Sequence, residues 1–305
     1  MSWFVWLIIF LTTPWLFFYI LWKIKFKSDS KITVPVLAYH QINDDFDFSI
    51  TRQKVCQFER GVRYLHDQGY KAVSLDEVLD TGADHHDKKV AFTFDDAYQD
   101  MYSNAFPILK EFNFTACIFV ITGYVGKQSD WDYRWGRNRR RHLTWEQIKE
   151  MSQAGFTFGS HTVNHPDLTG IQKRQLEYEL KESKQELEDK LGQKVDFLSY
   201  PFGRYNRYVQ EETKRLGYRA GFTLCRHSSE RGSDDFSLSR WGVYLLDSPL
   251  SLRIKINQDR LLWMKEMRDR IINCFSGWTI ILKGNPDYQK DNNFSDRSHT
   301  EIRML

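Results

Sequence analysis

Two hydrophobic periods alternate along the chain. Short apolar or β-branched runs bounded by polar residues occur at 35–39 (PVLAY), 89–94 (KVAFTF), 116–121 (ACIFVI), 156–159, 197–200 and 220–224, and such runs predict strands buried on both faces. Between them, 51–68, 98–112, 145–153, 173–191 and 205–216 carry spaced apolar residues on otherwise polar faces, the pattern of helices that cover a sheet. Thr144 followed three residues later by Gln147 predicts a capping box, and Gly69, Gly155 and Gly217 stand where helices should stop. Six strands with intervening helices in about 200 residues favour a (β/α) barrel or a doubly wound sheet.

The first stretch breaks this pattern. Residues 2–22 contain no charged side chain and are numerous enough to cross a bilayer as a helix. A cleaved signal peptide would show basic residues before the apolar run and small residues at a cleavage site, and neither is present. Trp3, Trp6, Trp15, Tyr19 and Trp22 suit an interfacial position, and Lys23, Lys25, Lys27 and Lys31 all follow the run. The expectation is a single-pass anchor at 1–24 in the inner, cytoplasmic membrane, with the rest of the chain on the cytoplasmic side. A linker at 25–33, a catalytic domain at 34–284 and a polar tail at 285–305 complete the predicted organisation.

Composition narrows the function. The 305 residues are 41% hydrophobic and 27% charged with a net charge of +3, enough apolar material for a large core and too little basic bias for a nucleic-acid partner. The four cysteines stand apart without a C-x-x-C pair, so the sequence suggests neither a thiolate zinc site nor a disulfide framework.

The candidate chemistry lies at predicted strand ends. Asp95 and Asp96 close the run TFDD, and two adjacent carboxylates there need a cation or hydrogen bonds to satisfy them, although a turn or helix cap uses Asp equally well. His161 and His165 follow the next-but-one strand in SHTVNHP, a spacing that can bring both imidazoles to one point. Together they make a set of two nitrogens and one carboxylate with coordination positions left open. Pro201, Phe202 and Gly203 form a turn able to offer a backbone N–H to an oxyanion, although Pro and Gly mark any turn.

TFDD, SHTVNHP and YPFG, in that order and spacing, resemble the polysaccharide deacetylases of the nodulation type, over about 34–246. The resemblance implies a distorted (β/α) barrel and metal-dependent removal of an N-acetyl group from an amino sugar. It makes Asp95 the general base, gives Asp96, His161 and His165 one divalent ion (zinc, with cobalt, manganese or nickel as alternatives), and assigns the oxyanion N–H to Phe202. Two departures stand out. The family arginine two residues before the proline is Ser199 here, and Arg240, beside Trp241, is the candidate replacement. The family's late Leu-x-His is absent, the late apolar run reading Ile281-Leu282-Lys283-Gly284. His40, after the first strand, is the candidate general acid, as in the circularly permuted branch, against the plain alternative that it only packs.

For the substrate, the expected anchor favours a lipid-linked sugar of the undecaprenyl-phosphate type. An extracytoplasmic exopolysaccharide or peptidoglycan is the alternative, and a catalytically degenerate sugar-binding protein a third reading. The basic stretch 134–142, interleaved with Trp131 and Trp135, could meet phosphate or headgroups, or be a solvated insertion.

Overall fold

The computed structural model describes residues 34–45, 49–80, 88–129, 140–224 and 234–257. The elements in chain order are β1 (Val36–Tyr39), β2 (Gln41–Ile42), β3 (Arg52–Gln53), α1 (Val55–Asp67), β4 (Lys71–Ala72), α2 (Leu75–Asp80), β5 (Lys89–Phe94), α3 (Phe106–Glu111), β6 (Cys117–Val120), α4 (Trp145–Gln153), β7 (Thr157–Ser160), α5 (Lys173–Leu191), β8 (Phe197–Ser199), α6 (Arg207–Arg215), β9 (Ala220–Thr223), β10 (Leu238–Ser239), β11 (Trp241–Gly242) and α7 (Pro249–Asn257).

Among the described residues, nine strands form one parallel sheet in the order β10-β9-β8-β7-β6-β5-β1-β11, with β4 on the first half of β5. The two ends of that order are one continuous piece of chain. Leu238 and Ser239 pair with Phe222 and Thr223, Trp241 and Gly242 pair with Leu37 and Ala38, and Arg240 sits at the join. The sheet therefore closes on itself, a distorted (β/α) barrel.

Strand alternation sorts the side chains. Val36, Ala91, Cys117, Phe119, Phe197, Ala220, Phe222 and Leu238 form an inner cluster, whereas Leu37, Tyr39, Val90, Phe92, Phe94, Ile118 and Leu198 pack outward with helical residues such as Phe58, Leu65, Leu180 and Leu252. Inner-facing positions that come last on their strands thus point into the barrel mouth at the carboxyl ends, where chemistry gathers in this architecture.

Local sequence explains most boundaries. The Thr144–Gln147 capping box is present, with Gln147 N to Thr144 Oγ1 at 3.3 Å and Thr144 N to Gln147 Oε1 at 3.0 Å. The helix expected at 51–68 begins later, because Arg52 and Gln53 pair with Gln41 and Ile42 instead. The helix expected at 98–112 contains a π turn at Met101–Ala105, in which Phe106 N reaches back to Met101 O. Pro107 follows it; a proline cannot donate to the preceding turn and its ring crowds that turn.

The membrane expectations are corrected. Among the described residues no helix is long and apolar enough to cross a membrane. The longest, α5, has 19 residues but carries charged side chains along its whole length. The anchor at 1–24 and linker at 25–33 lie outside the described residues, as do the tail at 285–305, the run 281–284, Trp131 and Trp135. Membrane partnership, inner-membrane location and a cytoplasmic face rested on that apolar run, its aromatics and the lysines that follow it. The fold supports none of them, and they are withdrawn.

Candidate active site

Three strand ends converge at the barrel mouth. Asp95 follows β5, its N–H bonded to Tyr39 O at 2.9 Å, and alternation after Ala91 and Thr93 aims its side chain inward. Asp96 and Ala97 then both adopt left-handed backbone, φ 68° and 52°, an arrangement disfavoured for residues with a Cβ and found where surrounding contacts over-determine it. Those contacts come from 141–143: Leu143 N bonds Ala97 O at 2.9 Å, Gln99 N bonds Arg141 O at 2.8 Å, and His142 Nδ1 lies 2.7 Å from Asp96 O.

After β7 the chain enters the loop that holds both histidines. His161 Nε2 lies 3.5 Å and His165 Nε2 3.7 Å from Asp96 Oδ1, and one ligand atom from each of the three residues lies within 4.8 Å of the others. For bonds of about 2.1 Å in a tetrahedral arrangement, donor atoms should be about 3.4 Å apart, so the set fits one ion with little movement. The donor chemistry fits as well. His161 Nδ1 is 2.8 Å from Ser199 O, which makes that nitrogen the N–H and leaves the Nε2 lone pair facing Asp96. Burial pushes His161 down to about 4 and His165 well below the ordinary value, so both rings are neutral, as ligands must be.

Asp95 stands apart from this triad and belongs to Arg240. The guanidinium donates to Asp95 Oδ1 at 2.7 Å and Oδ2 at 2.8 Å, to Thr93 Oγ1 at 3.0 Å and to Ser199 Oγ at 2.7 Å. It lies 5.1 Å from the Phe119 ring centroid, with Phe222 at 6.0 Å. Burial alone would raise the Asp95 pKa, but the Arg240 charge and its hydrogen bonds outweigh it and hold the carboxyl below the usual range. Ser199, where the family pattern has arginine, is thus the hydroxyl that accepts from Arg240.

The other expected residues divide. His40 follows β1, with Nε2 4.0 Å from Asp95 Oδ2. Phe202 takes φ 58°, its ring centroid 4.5 Å from that of His165, and among the described residues its N–H has no hydrogen-bond acceptor. Pro201 is buried beside it, and Gly203 is required, since at φ 66° a Cβ would stand 2.9 Å from Leu224 N. Trp241 is not brought to the mouth: next along the strand from inward-facing Arg240, it packs against the outer cluster.

Similarity to known proteins now decides the family. The polysaccharide deacetylase profile matches residues 82–221. Bacillus subtilis (strain 168) YxkH, assigned to the polysaccharide deacetylases, is 31% identical over 70% of this chain and 72% of its own.

The chain belongs to the polysaccharide deacetylase family.

Streptococcus pyogenes deacetylase PplD, solved in complex with acetate, is 31% identical, with a TM-score of 0.64 over 73% of this chain and 97% of its own. Poly-beta-1,6-N-acetyl-D-glucosamine N-deacetylase of Staphylococcus aureus (strain MRSA252) is 26% identical over 72% of this chain and 80% of its own. In this deacetylase, Asp96, His161 and His165 hold one divalent metal ion, and the chain is a metal-dependent N-deacetylase of an amino sugar. His40 and Arg240 fall outside the matched span of the profile, His40 just after β1 and Arg240 at the join of β10 and β11 where the barrel closes.

Proposed function

We propose that this deacetylase removes acetyl groups from a polymeric glycan of N-acetylated amino sugar, of the exopolysaccharide kind, with Asp95 as general base, His40 as general acid and Phe202 N–H as oxyanion donor. The observation that carries the catalytic assignment is Asp95, held ionised by Arg240 next to a three-ligand metal set that it does not join. Polymer is favoured over lipid-linked sugar by the similarity to enzymes of poly-beta-1,6-N-acetyl-D-glucosamine; the lipid-linked reading depended on the withdrawn anchor.

An ion held by the three side chains supplies Lewis acidity, lowering the pKa of a water and polarising the acyl carbonyl. Asp95 takes a proton from the attacking water; although both its oxygens bond Arg240, each keeps a second lone pair. As the new C–O bond forms, the oxyanion is met by Phe202 N–H. Protonated His40 then delivers its proton to the amide nitrogen, the C–N bond breaks, and free amine leaves with acetate.

Acetate release from β-1,6-linked N-acetylglucosamine oligomers by metal-loaded enzyme tests this. Turnover is expected with wild type, and Asp95→Asn is expected to keep its metal while losing nearly all turnover. Near-normal rates in that variant would remove Asp95 from its role, and activity only on lipid-linked sugars would remove the polymer.

A further inference from the structure

Backbone pairing serves the carbonyls of the metal-binding loop, Thr162 O accepting from Thr122 N at 3.1 Å and Val163 O from Gly123 N at 2.9 Å, but not most of its N–H groups. From His161 through His165 the loop contains two left-handed non-glycine residues, Thr162 at φ 69° and His165 at φ 56°, each costing on the order of 1 kcal/mol. Its N–H groups are instead satisfied one by one. His161 N bonds Val120 O at 2.8 Å, Thr162 N bonds Ser160 Oγ at 3.1 Å, and His165 N bonds Thr162 Oγ1 at 2.9 Å.

The two remaining donors converge on one side chain of α5. Glu179 Oε2 accepts from Val163 N at 2.9 Å and Asn164 N at 2.8 Å, while Oε1 accepts from Asn164 Nδ2 at 2.9 Å. Glu179 is fully buried. One turn further along the helix, Ser183 Oγ meets Ser160 Oγ at 2.7 Å, so the same face of α5 also braces the residue just before His161. A carboxylate taken wholly out of water costs several kcal/mol unless its bonds are complete. Here all its partners belong to the short stretch that joins the two histidine ligands.

We propose that Glu179 is a positioning residue of the metal centre: α5 uses its carboxylate as a template that fixes the 162–164 backbone and thereby sets His161 and His165 at the separation one ion requires. The inference rests on the Asp96–His161–His165 set and is independent of which glycan is the substrate.

Zinc affinity, measured by competition with a chromophoric chelator, and the melting temperature of the metal-free protein form the test. Glu179→Gln keeps an oxygen for the two backbone N–H groups but replaces a charged acceptor with a neutral one, and its amide N–H makes Asn164 turn its own amide over to accept. It is expected to weaken zinc binding about 10- to 100-fold while the metal-free melting temperature moves little. Asn164→Asp alone, facing carboxylate with carboxylate, is expected to weaken zinc similarly. Combined, E179Q and N164D restore a donor–acceptor pair, and affinity is expected to recover most of its loss. Unchanged zinc affinity in Glu179→Gln, or no recovery in the double variant, would overturn the proposal. Direct metal binding is read throughout, so a failure here is distinct from a wrong choice of substrate.

Discussion

Arg240 grips both carboxylate oxygens of Asp95, at 2.7 and 2.8 Å, from the residue at which the barrel closes. The pair is buried, 0% and 1% exposed, and its geometry is the two-point fork that lysine cannot reproduce. Arg240→Lys is therefore expected to keep metal but lose about 100-fold or more in kcat, since a misplaced base is costly. Arg240→Met leaves Asp95 buried without a partner and is expected to destabilise the fold by about 3–5 kcal/mol. Denaturant titration with metal content and acetate release checks both; a stable, active Arg240→Met protein would show that Asp95 needs no cation.

Ser199 offers a second test of the same pair. It occupies the position of the family arginine and accepts from Arg240 at 2.7 Å. Ser199→Arg alone forces two guanidinium groups into one buried space and is expected to destabilise strongly. Adding Arg240→Ser should recover several kcal/mol, because one cation again faces Asp95. A double-mutant cycle measures the coupling; additive losses would mean that the two positions are not interchangeable sources of the charge.

Metal removal has a defined outcome. With Asp96, His161 and His165 as the three protein ligands of one ion, chelation should abolish acetate release and lower the melting temperature. Readdition of a divalent ion at about 100 times its Kd should restore about 2.7 kcal/mol. Activity that survives complete chelation, verified by elemental analysis, would contradict the metal-dependent reaction.

A pH effect on stability should come from Asp100. Burial of its carboxyl pushes the pKa up to about 6, against the Asn43 amide, Ile42 N–H and Arg140, with Asp45 adding to the rise. A carboxyl that binds its proton more tightly when folded contributes stability below its unfolded value, near 3.8, and loses it as pH rises through about 6. Asp100→Asn is therefore expected to match wild type at pH 3.5 and exceed it at pH 7.5, by on the order of 2 kcal/mol. A constant offset between the two proteins across that range would show that Asp100 titrates normally.

The sequence pattern located the site better than the elements that frame it. TFDD and SHTVNHP each end a strand whose apolar run is readable on its own, and helices 145–153 and 173–191 carry unambiguous periodicity, so Asp96, His161 and His165 could be placed on converging ends. The closure was not legible: β10 and β11 are two residues each, too short for any period to register. Arg240 was found instead as a substitute for a missing charge, and its neighbour Trp241 was carried along although alternation turns it outward. β4, α2 and α7 escaped for the same reason of brevity or weak amphipathicity. Glu179 lies among many charged residues on α5, and only burial distinguishes it.

His40 provides the sharpest separation of roles. Its Nε2 is 4.0 Å from Asp95 Oδ2, close enough for the two to serve one substrate from neighbouring strand ends. If His40 protonates the leaving amine, its importance must depend on the leaving group. An amine expelled from an amide needs that proton, whereas an aryl oxide expelled from an activated acetate ester leaves without it. His40→Ala is thus expected to lose about 100- to 10,000-fold on N-acetylated oligomers and only a few-fold on an aryl acetate. Asp95→Asn, by contrast, is expected to impair both, since water must be deprotonated in either case. Equal losses on the two substrates in His40→Ala would make His40 a packing or orienting residue and return the acid role to another group.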